Sequence, residues 1–386
     1  MRYLSYLLLL FLVARSAVLG SVNVSFSNSP EEWTATLDLR IGERNDGADA
    51  LLTTVSDLAV GENGTIYVVQ PRESRVRVFD AEGELQDTWG RSGEGPGEFR
   101  NAKDIGWTEE AVWVTDVQRV HLFGLDGTPT QTITLLADIQ KDGPGRLVSR
   151  ALLPGNAVLA QRLLPSRVIA EGAYTTSGLF RILPATEQAE KIADLSVENR
   201  VLELSNGGRL YGEQPLSDHA LWTLSQDRED LIIIERAVSE LADEQDITIR
   251  LYAFSQNRQR TLTLPYDPRP VSDNLVNQLI DEYMEKLADV PIENVERQLR
   301  DQLYLPEHQP PVYDVVAGPQ DTIWLRRGIG QGEPAQWLII NHDGDHIASI
   351  TLPGAVKPLH ITDTMLWAAA TDDQGVSYVE RYRIER

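Results

Sequence analysis

From Ser56 onward the chain is written in short apolar or alternating runs separated by Gly, Asn, Asp and Pro, the pattern of strands joined by turns. Ser56–Val60 comes first, and Gly61-Glu62-Asn63-Gly64 follows it, where Asn-Gly predicts a two-residue hairpin turn. Thr65–Gln70 (TIYVVQ) reads as a buried strand, and Arg75–Asp80 (RVRVFD) alternates polar and apolar residues. Ala81-Glu82-Gly83 then turns the chain into Glu84–Trp89, completing four strands. The same slots are filled again by Asp104–Trp107, Ala111–Thr115, Arg119–Phe123 and Gln131–Leu135, with a turn at Asp126-Gly127. Between the two copies lies Gly90–Phe99 (GRSGEGPGEF), whose glycines and Pro96 mark a tight connection rather than an element interior.

The apolar centre of each second strand measures the repeat. Tyr67, Trp113 and Val158 are about 45 residues apart, and Trp324 and Trp367 nearly so, which is the size of a four-stranded propeller blade. Val158 and Ile233 are about 75 apart, which implies an inserted loop of about 30 residues, placed at Ser196–Leu216. The gap from Ile233 to Trp324 is about 91, but the text inside it is helical. Ser272 caps a helix over Asp273–Ala288 with Leu275, Val276, Leu279, Ile280, Tyr283 and Leu287 on one face. Pro291 ends it, and Ile292, Val295, Leu299 and Leu303 mark a second helix. This gap is therefore one repeat plus a two-helix insertion over about 272–305. The apolar stripe predicts packing on the rim, with a lid over one channel mouth as the alternative.

Val312–Val316, Asp321–Arg326, Gln336–Asn341 and Ile347–Leu352 fill a fifth set of slots, with a turn at Asp343-Gly344. Leu359–Thr362, Met365–Ala370 and Val376–Ile384 supply only three strands of a sixth. Thr34–Ile41, which alternates well, is the missing one. The expectation is an all-β fold: a six-bladed β-propeller of four-stranded antiparallel blades, one domain over 33–386, closed by an N-terminal strand that leaves no open edge.

With that architecture the chain resembles the NHL-type six-bladed β-propellers, in particular their exported bacterial members. Leu37–Gly42 (LDLRIG), Arg75–Asp80 and the Gly90–Phe99 corner carry the likeness, which covers Thr34–Leu135 and again Pro311–Arg386. Between those stretches it is carried by strand rhythm alone. NHL blades usually end the second strand with Asp and place Asn before the Arg of the third. Here the first blade has Gln70 and Glu73 in that region and keeps Arg75, whereas the second keeps Asp116 and Arg119 across a shortened connection. The resemblance implies that Asp116 and Arg119 tie strands together. It also implies that any metal or acid/base group stands at the channel mouth, as in peptidylglycine α-amidating lyase and the calcium-dependent lactonases.

Composition narrows the partners. At 386 residues the chain suits one large domain or two ordinary ones. A net charge of -23 excludes the basic footprint of a nucleic-acid partner and argues against docking on anionic lipid. With no cysteine there is no disulfide, thiolate metal site, thiol nucleophile or lipid-modified N-terminal Cys. Arg2, apolar Leu4–Val13 and small Ala14, Ser16, Ala17 and Gly20 predict a signal peptide over 1–20, with an uncleaved anchor as the alternative. The expectation is an exported monomer, periplasmic or extracellular, with no stable membrane insertion once the signal is removed. Asn23-Val24-Ser25 and Asn63-Gly64-Thr65 match the glycosylation sequon.

No motif specifies a reaction, and no catalytic residue is identified. The six histidines include no His-Glu-x-x-His zinc helix. His342 and His346 have a metal-like spacing, but Asp343-Gly344 between two strands predicts a turn, and the run lacks the terminal Glu of a calcium loop. There is no Gly-x-Ser-x-Gly elbow, and Gly90–Gly97 lacks the Lys-Ser/Thr ending of a phosphate loop. What remains is cations in an acidic chain: Arg91 on the corner, Arg326 and Arg327 ending a second strand, and His308 after the helices. Near a channel mouth they would bind an anionic group by bidentate hydrogen bonds; the alternative is that each pairs with a neighbouring carboxylate. The functional expectation is a non-enzymatic binding or scaffolding module for a protein, peptide or glycan, without a cofactor. The alternative is a metal-dependent hydrolase or lyase with its site in the central channel, for which calcium is a candidate ion, and which a stoichiometric calcium or zinc ion there would favour.

Overall fold

The computed structural model describes residues 22–23, 30–42, 51–108, 110–135, 144–165, 168–169, 175–186, 188–196, 202–203, 209–210, 214–236, 246–287, 293–328, 334–354, 356–372 and 374–386. The signal segment at 1–20, most of the loop expected at 196–216 and the helix link around Pro291 lie outside them. Three four-stranded antiparallel sheets are built from residues 57–89, 102–134 and 146–196. Residues 221–265 form a fourth, which Val22–Asn23 extends by a short parallel edge. Eight further strands are one continuous sheet, with the strands of 314–352 on one side, those of 357–385 on the other, and Glu31–Ile41 between them; Arg91–Ser92 with Glu98–Phe99 and Leu202–Glu203 with Arg209–Leu210 form two short separate pairs. Glu31–Trp33 pairs parallel with Ala348–Ile350, and from Thr34 the same strand runs antiparallel to Ser377–Glu385. The N-terminal strand thus closes the C-terminal sheet, as its alternation predicts.

The burial pattern explains why the strands were legible. All five residues of Ile66–Gln70, a second strand, are buried, whereas the fourth strand Pro129–Thr134 buries Ile133 alone. A second strand is covered on both faces by adjacent sheets, so its sequence is a continuous apolar run; a fourth strand lies at the periphery and needs fewer apolar positions. Apolar clusters fill the wedges between neighbouring sheets. Tyr67, Val69 and Trp89 meet Ile105, Val112 and Phe123 in one, and Trp33, Trp324 and Trp337 meet Ile361, Leu366 and Tyr382 in another. The first strands touch in sequence order from Asp57–Val60 to Arg146–Leu153 and from Leu221–Leu224 to Lys357–Ile361, which returns beside Asp57–Val60; an apolar cluster holding Ala151, Ala220 and Leu231 joins the third sheet to the fourth. This is the arrangement of a β-propeller.

Two local expectations are corrected. The two-residue turn at Asn63-Gly64 is a wider loop: Gly61 N–H donates to the Thr65 carbonyl and Gly64 N–H to the Gly61 carbonyl, and of the Asn-Gly pair only Gly64 has positive φ. A type I′ turn needs both residues there. The loop with Asn341 and Gly344 has the same hydrogen bonds, so the His342–His346 spacing belongs to a turn and not to a helix. In the first sheet the cation bound to Gln70 and Glu73 is Arg77, which is buried; Arg75 points to solvent.

The 90–99 corner is knitted by its own carboxylate. Glu98 Oε2 accepts from Gly95 N–H at 2.8 Å and Glu94 N–H at 3.0 Å. Gly90 sits at φ 82, and a Cβ there would lie 2.3 Å from the ring of Phe99, which is fully buried. Gly375 has a similar φ of 77 with nothing within 4 Å. Gly375→Ala is therefore expected to cost about 1–2 kcal/mol from backbone strain. Gly90→Ala should cost about 1–3 kcal/mol more through overpacking. Chemical denaturation of both variants measures the difference, and equal losses would exclude the Phe99 clash.

Asp273–Lys286 (α1) starts at Ser272, whose hydroxyl accepts from Leu275 N–H at 3.3 Å. It packs Ile280 and Leu287 against Leu299 and Leu303, which belong to and follow Val295–Gln302 (α2). No helix among the described residues is long and apolar enough to cross a membrane.

Candidate functional site

The first strands of the sheets surround a central cavity of about 960 Å³. Its two ends differ. Where the first strands begin, the lining includes Asp57, Asp104, Arg150, Asp314 and Lys357. At the other end, the turn after Leu221–Leu224 reaches across the axis. Gln226 Nε2 donates to the carbonyls of Ala317 and Ile361 on two further first strands, and Arg228 Nη1 donates to the Trp107 carbonyl at 3.2 Å. The Arg228 guanidinium also lies over the Trp113 ring, 5.7 Å from its centroid. The space is therefore a cup, floored by the 225–228 turn and walled by Trp107, Trp222, Leu224 and Leu359.

Contacts run from sheet to sheet around the mouth. Asp57 Oδ1 accepts from Leu58 N–H at 2.9 Å, and Oδ2 accepts from Ile105 N–H in the next sheet at 3.0 Å. Asp104 Oδ2 accepts from the Thr115 hydroxyl at 3.0 Å and lies 3.5 Å from Arg150 Nη1. Arg150 in turn covers the Trp222 ring at 5.4 Å. Burial, and then the neighbouring Asp104, push the Asp57 carboxyl up to about 7; the backbone hydrogen bonds and the more distant Lys357 oppose this and do not overcome it. Desolvation lowers His360, on the same wall, to about 4, so its ring is neutral at pH 7. Among the described residues, no group of three or more His, Asp or Glu is placed to hold a metal ion.

The four cations expected from sequence are not brought together. Arg91 is on the outer corner, its Nε 2.8 Å from Glu98 Oε1, so the local carboxylate alternative describes it. Arg326 is cross-strand partner to Asp314 and donates to the Gly354 carbonyl. Arg327 lines a small surface cleft with Tyr266, Arg269 and Tyr313, and His308 pairs in an isolated bridge with Pro270. None of the four lines the cup. The residues that do line its mouth escaped notice because an Asp before an aliphatic run looks like any strand start. A repeat alignment is the signal that finds them: Ser56-Asp57-Leu58, Lys103-Asp104-Ile105 and Tyr313-Asp314-Val315 occupy the same slot.

No family model matches the sequence, and no curated protein does. Among solved structures, the chain is similar to a member of the DUF4221 family from Bacteroides vulgatus, at 9% identity and TM-score 0.49 over 93% of this chain and 100% of that one. It is also similar to virginiamycin B lyase from Staphylococcus aureus, at 10% identity and TM-score 0.43 over 91% and 99%. A gluconolactonase from Xanthomonas campestris matches at 11% identity and TM-score 0.43 over 86% of each chain. At these scores the propeller assignment rests on the chain's own sheets.

Proposed function

We propose that the chain is an exported β-propeller of the NHL type, a single six-bladed domain over 33–386, and that it binds a ligand in the central cup. Counting six blades divides the eight-stranded sheet where Glu31–Ile41 leaves one neighbour for the other, between Trp33 and Thr34. Six first strands around the cavity support that count. Export follows from the 1–20 segment.

The floor carries the functional reading. A channel crossed at one end by Gln226 and Arg228 does not pass a ligand through; it holds one that enters and leaves by the charged mouth. The end of a peptide or glycan fits such a cup, with Trp107 and Trp222 offering apolar faces to it. The helix pair favours a partner docking at the same end: Tyr304, just after α2, donates from its hydroxyl to Asp218 Oδ2 at 3.1 Å, next to the cavity-lining His219. No described residue of either helix lines the cavity, so the rim position is preferred over the lid. No cofactor is part of this proposal.

The test is an array of peptides and glycans probed with the parent protein and with Trp222→Ala. Channel binding predicts a loss of at least about tenfold in affinity for the array ligands on truncating this wall. Ligands held equally well by Trp222→Ala and by Trp107→Ala would place binding elsewhere on the surface.

A further inference from the structure

We propose that the mouth of the cup recognises the zwitterion of an α-amino acid or short peptide, with the ammonium on Asp57 and the carboxylate on Lys357. This rests on the reading of the cup as the binding site and names its ligand class. Asp57 accepts two backbone hydrogen bonds, yet it has no cation within ion-pair distance among the described residues. Lys357, on the adjacent first strand and facing the same cavity, has no carboxylate partner among them either. The other mouth charges are matched: Asp104 by Arg150, and Asp314 by Arg326 across the strand pair. One carboxylate and one ammonium are left facing a single space. A neutral sugar could hydrogen-bond to both but would neutralise neither charge, and a dicarboxylate or a diamine would meet a like charge at one of them. Only a ligand carrying both signs matches the pair, and its apolar part then falls on Trp222 and Leu224 toward the floor.

The assignment has a proton signature. In the free protein, burial and Asp104 push Asp57 up to about 7. A ligand ammonium favours the ionised carboxylate, so binding below that pH expels a proton and weakens as pH falls. The other titratable groups on the cavity are Asp104, Arg150, His219, Asp314, Lys357 and His360, with Arg228 on the floor and Lys103 beside Asp104. His360, lowered to about 4, stays neutral through this window.

The experiment is isothermal titration of the mature protein with L-leucine, Leu-Leu, N-acetyl-Leu-Leu and Leu-Leu-amide. Leu-Leu is expected to bind, N-acetyl-Leu-Leu to lose at least about tenfold in affinity against the desolvated Asp57, and Leu-Leu-amide to lose about two- to fivefold against the exposed Lys357. Affinity should fall by up to about tenfold per unit between pH 7 and pH 5, with proton release visible as a buffer-dependent heat. Lys357→Met should abolish discrimination against the amide, and Asp57→Asn discrimination against the acetylated form. Asp57→Asn also loses an acceptor for Leu58 or Ile105 N–H, so the blocked ligands decide the matter if that variant does not fold. Equal binding of free and blocked dipeptides, still lost in Trp222→Ala, would overturn the zwitterion and leave the cup. No binding of any probe at millimolar concentration would also overturn it. If, in addition, no array ligand depended on Trp222 or Trp107, the cup itself would fall.

Discussion

Asp116→Ala is expected to lose about 3–5 kcal/mol of stability and to melt on the order of 10 °C below the parent. The carboxylate is fully buried and saturated. Oδ1 accepts from Asn101 N–H at 2.6 Å and Arg100 N–H at 2.9 Å, while Oδ2 accepts from Arg119 Nε at 3.1 Å and from Arg119 Nη2. Arg119 reaches on to the Glu94 and Glu98 carbonyls of the 90–99 corner, so one acid fixes a strand end and the link between two sheets. Truncation leaves a largely desolvated guanidinium and two amides without their acceptor, and that residue of unpaired groups sets the magnitude. Asp116→Asn keeps one acceptor and should lose less. Burial alone would raise this carboxyl, but His121, whose Nε2 lies 3.7 Å from Oδ2, and hydrogen bonds from Asn101 N–H and Arg119 outweigh it and hold it at about 2. Its folded value lies below its unfolded value, so the stabilisation is complete above about pH 4 and is lost as pH falls through about 2. Denaturant melts of both variants at pH 7 and pH 3 measure this. A loss within about 1 kcal/mol for the alanine variant would demote the tie to an ordinary surface pair.

The same tie shows what a sequence discloses. Asp116 and Arg119 were legible because a tie between adjacent strands is local: three residues apart, at a fixed place in a repeat. The strands were legible for a related reason, since each second strand must be apolar on both faces and each turn needs its glycine. The cup was not. Gln226 and Arg228 sit on a hairpin turn that reads like any other, and their role comes from carbonyls on Trp107, Ala317 and Ile361, all remote in sequence. Asp57 and Lys357 are 300 residues apart and reach one cavity only because the ring closes. Arg91 misled in the opposite direction. In an acidic chain an arginine stands out, but its partner Glu98 was on the same corner. Local chemistry was overvalued where a nearby carboxylate absorbed it, and undervalued where closure of the ring created it.

That closure is itself the object of the largest expected effect. A chain lacking residues 30–41 should fail to give a stable monomer, because this strand closes two edges at once. Its first residues pair with Ala348–Ile350 and the rest with Ser377–Glu385, so deletion bares both ladders. It also removes Trp33, which packs edge-on to Trp324 at 6.1 Å and lies under the Arg386 guanidinium at 4.6 Å, and Ile41, which is 1% exposed. The charged pairs Arg40–Glu380 and Asp38–Arg381 go with it. Trp33→Ala alone should cost about 3–5 kcal/mol, as removal of a buried tryptophan does. The deletion goes further, since unpaired strand edges are templates for association, and the expected product is an oligomer or an aggregate. Supplying residues 30–42 as a separate peptide should restore a monomer if the edge is the cause. Size-exclusion chromatography and thermal melting distinguish the outcomes. A monomer melting within a few degrees of the parent would mean that the ring is held by its wedges and not by its clasp. In that case Asp57 and Lys357, on the neighbouring first strands at that junction, would keep their places without it.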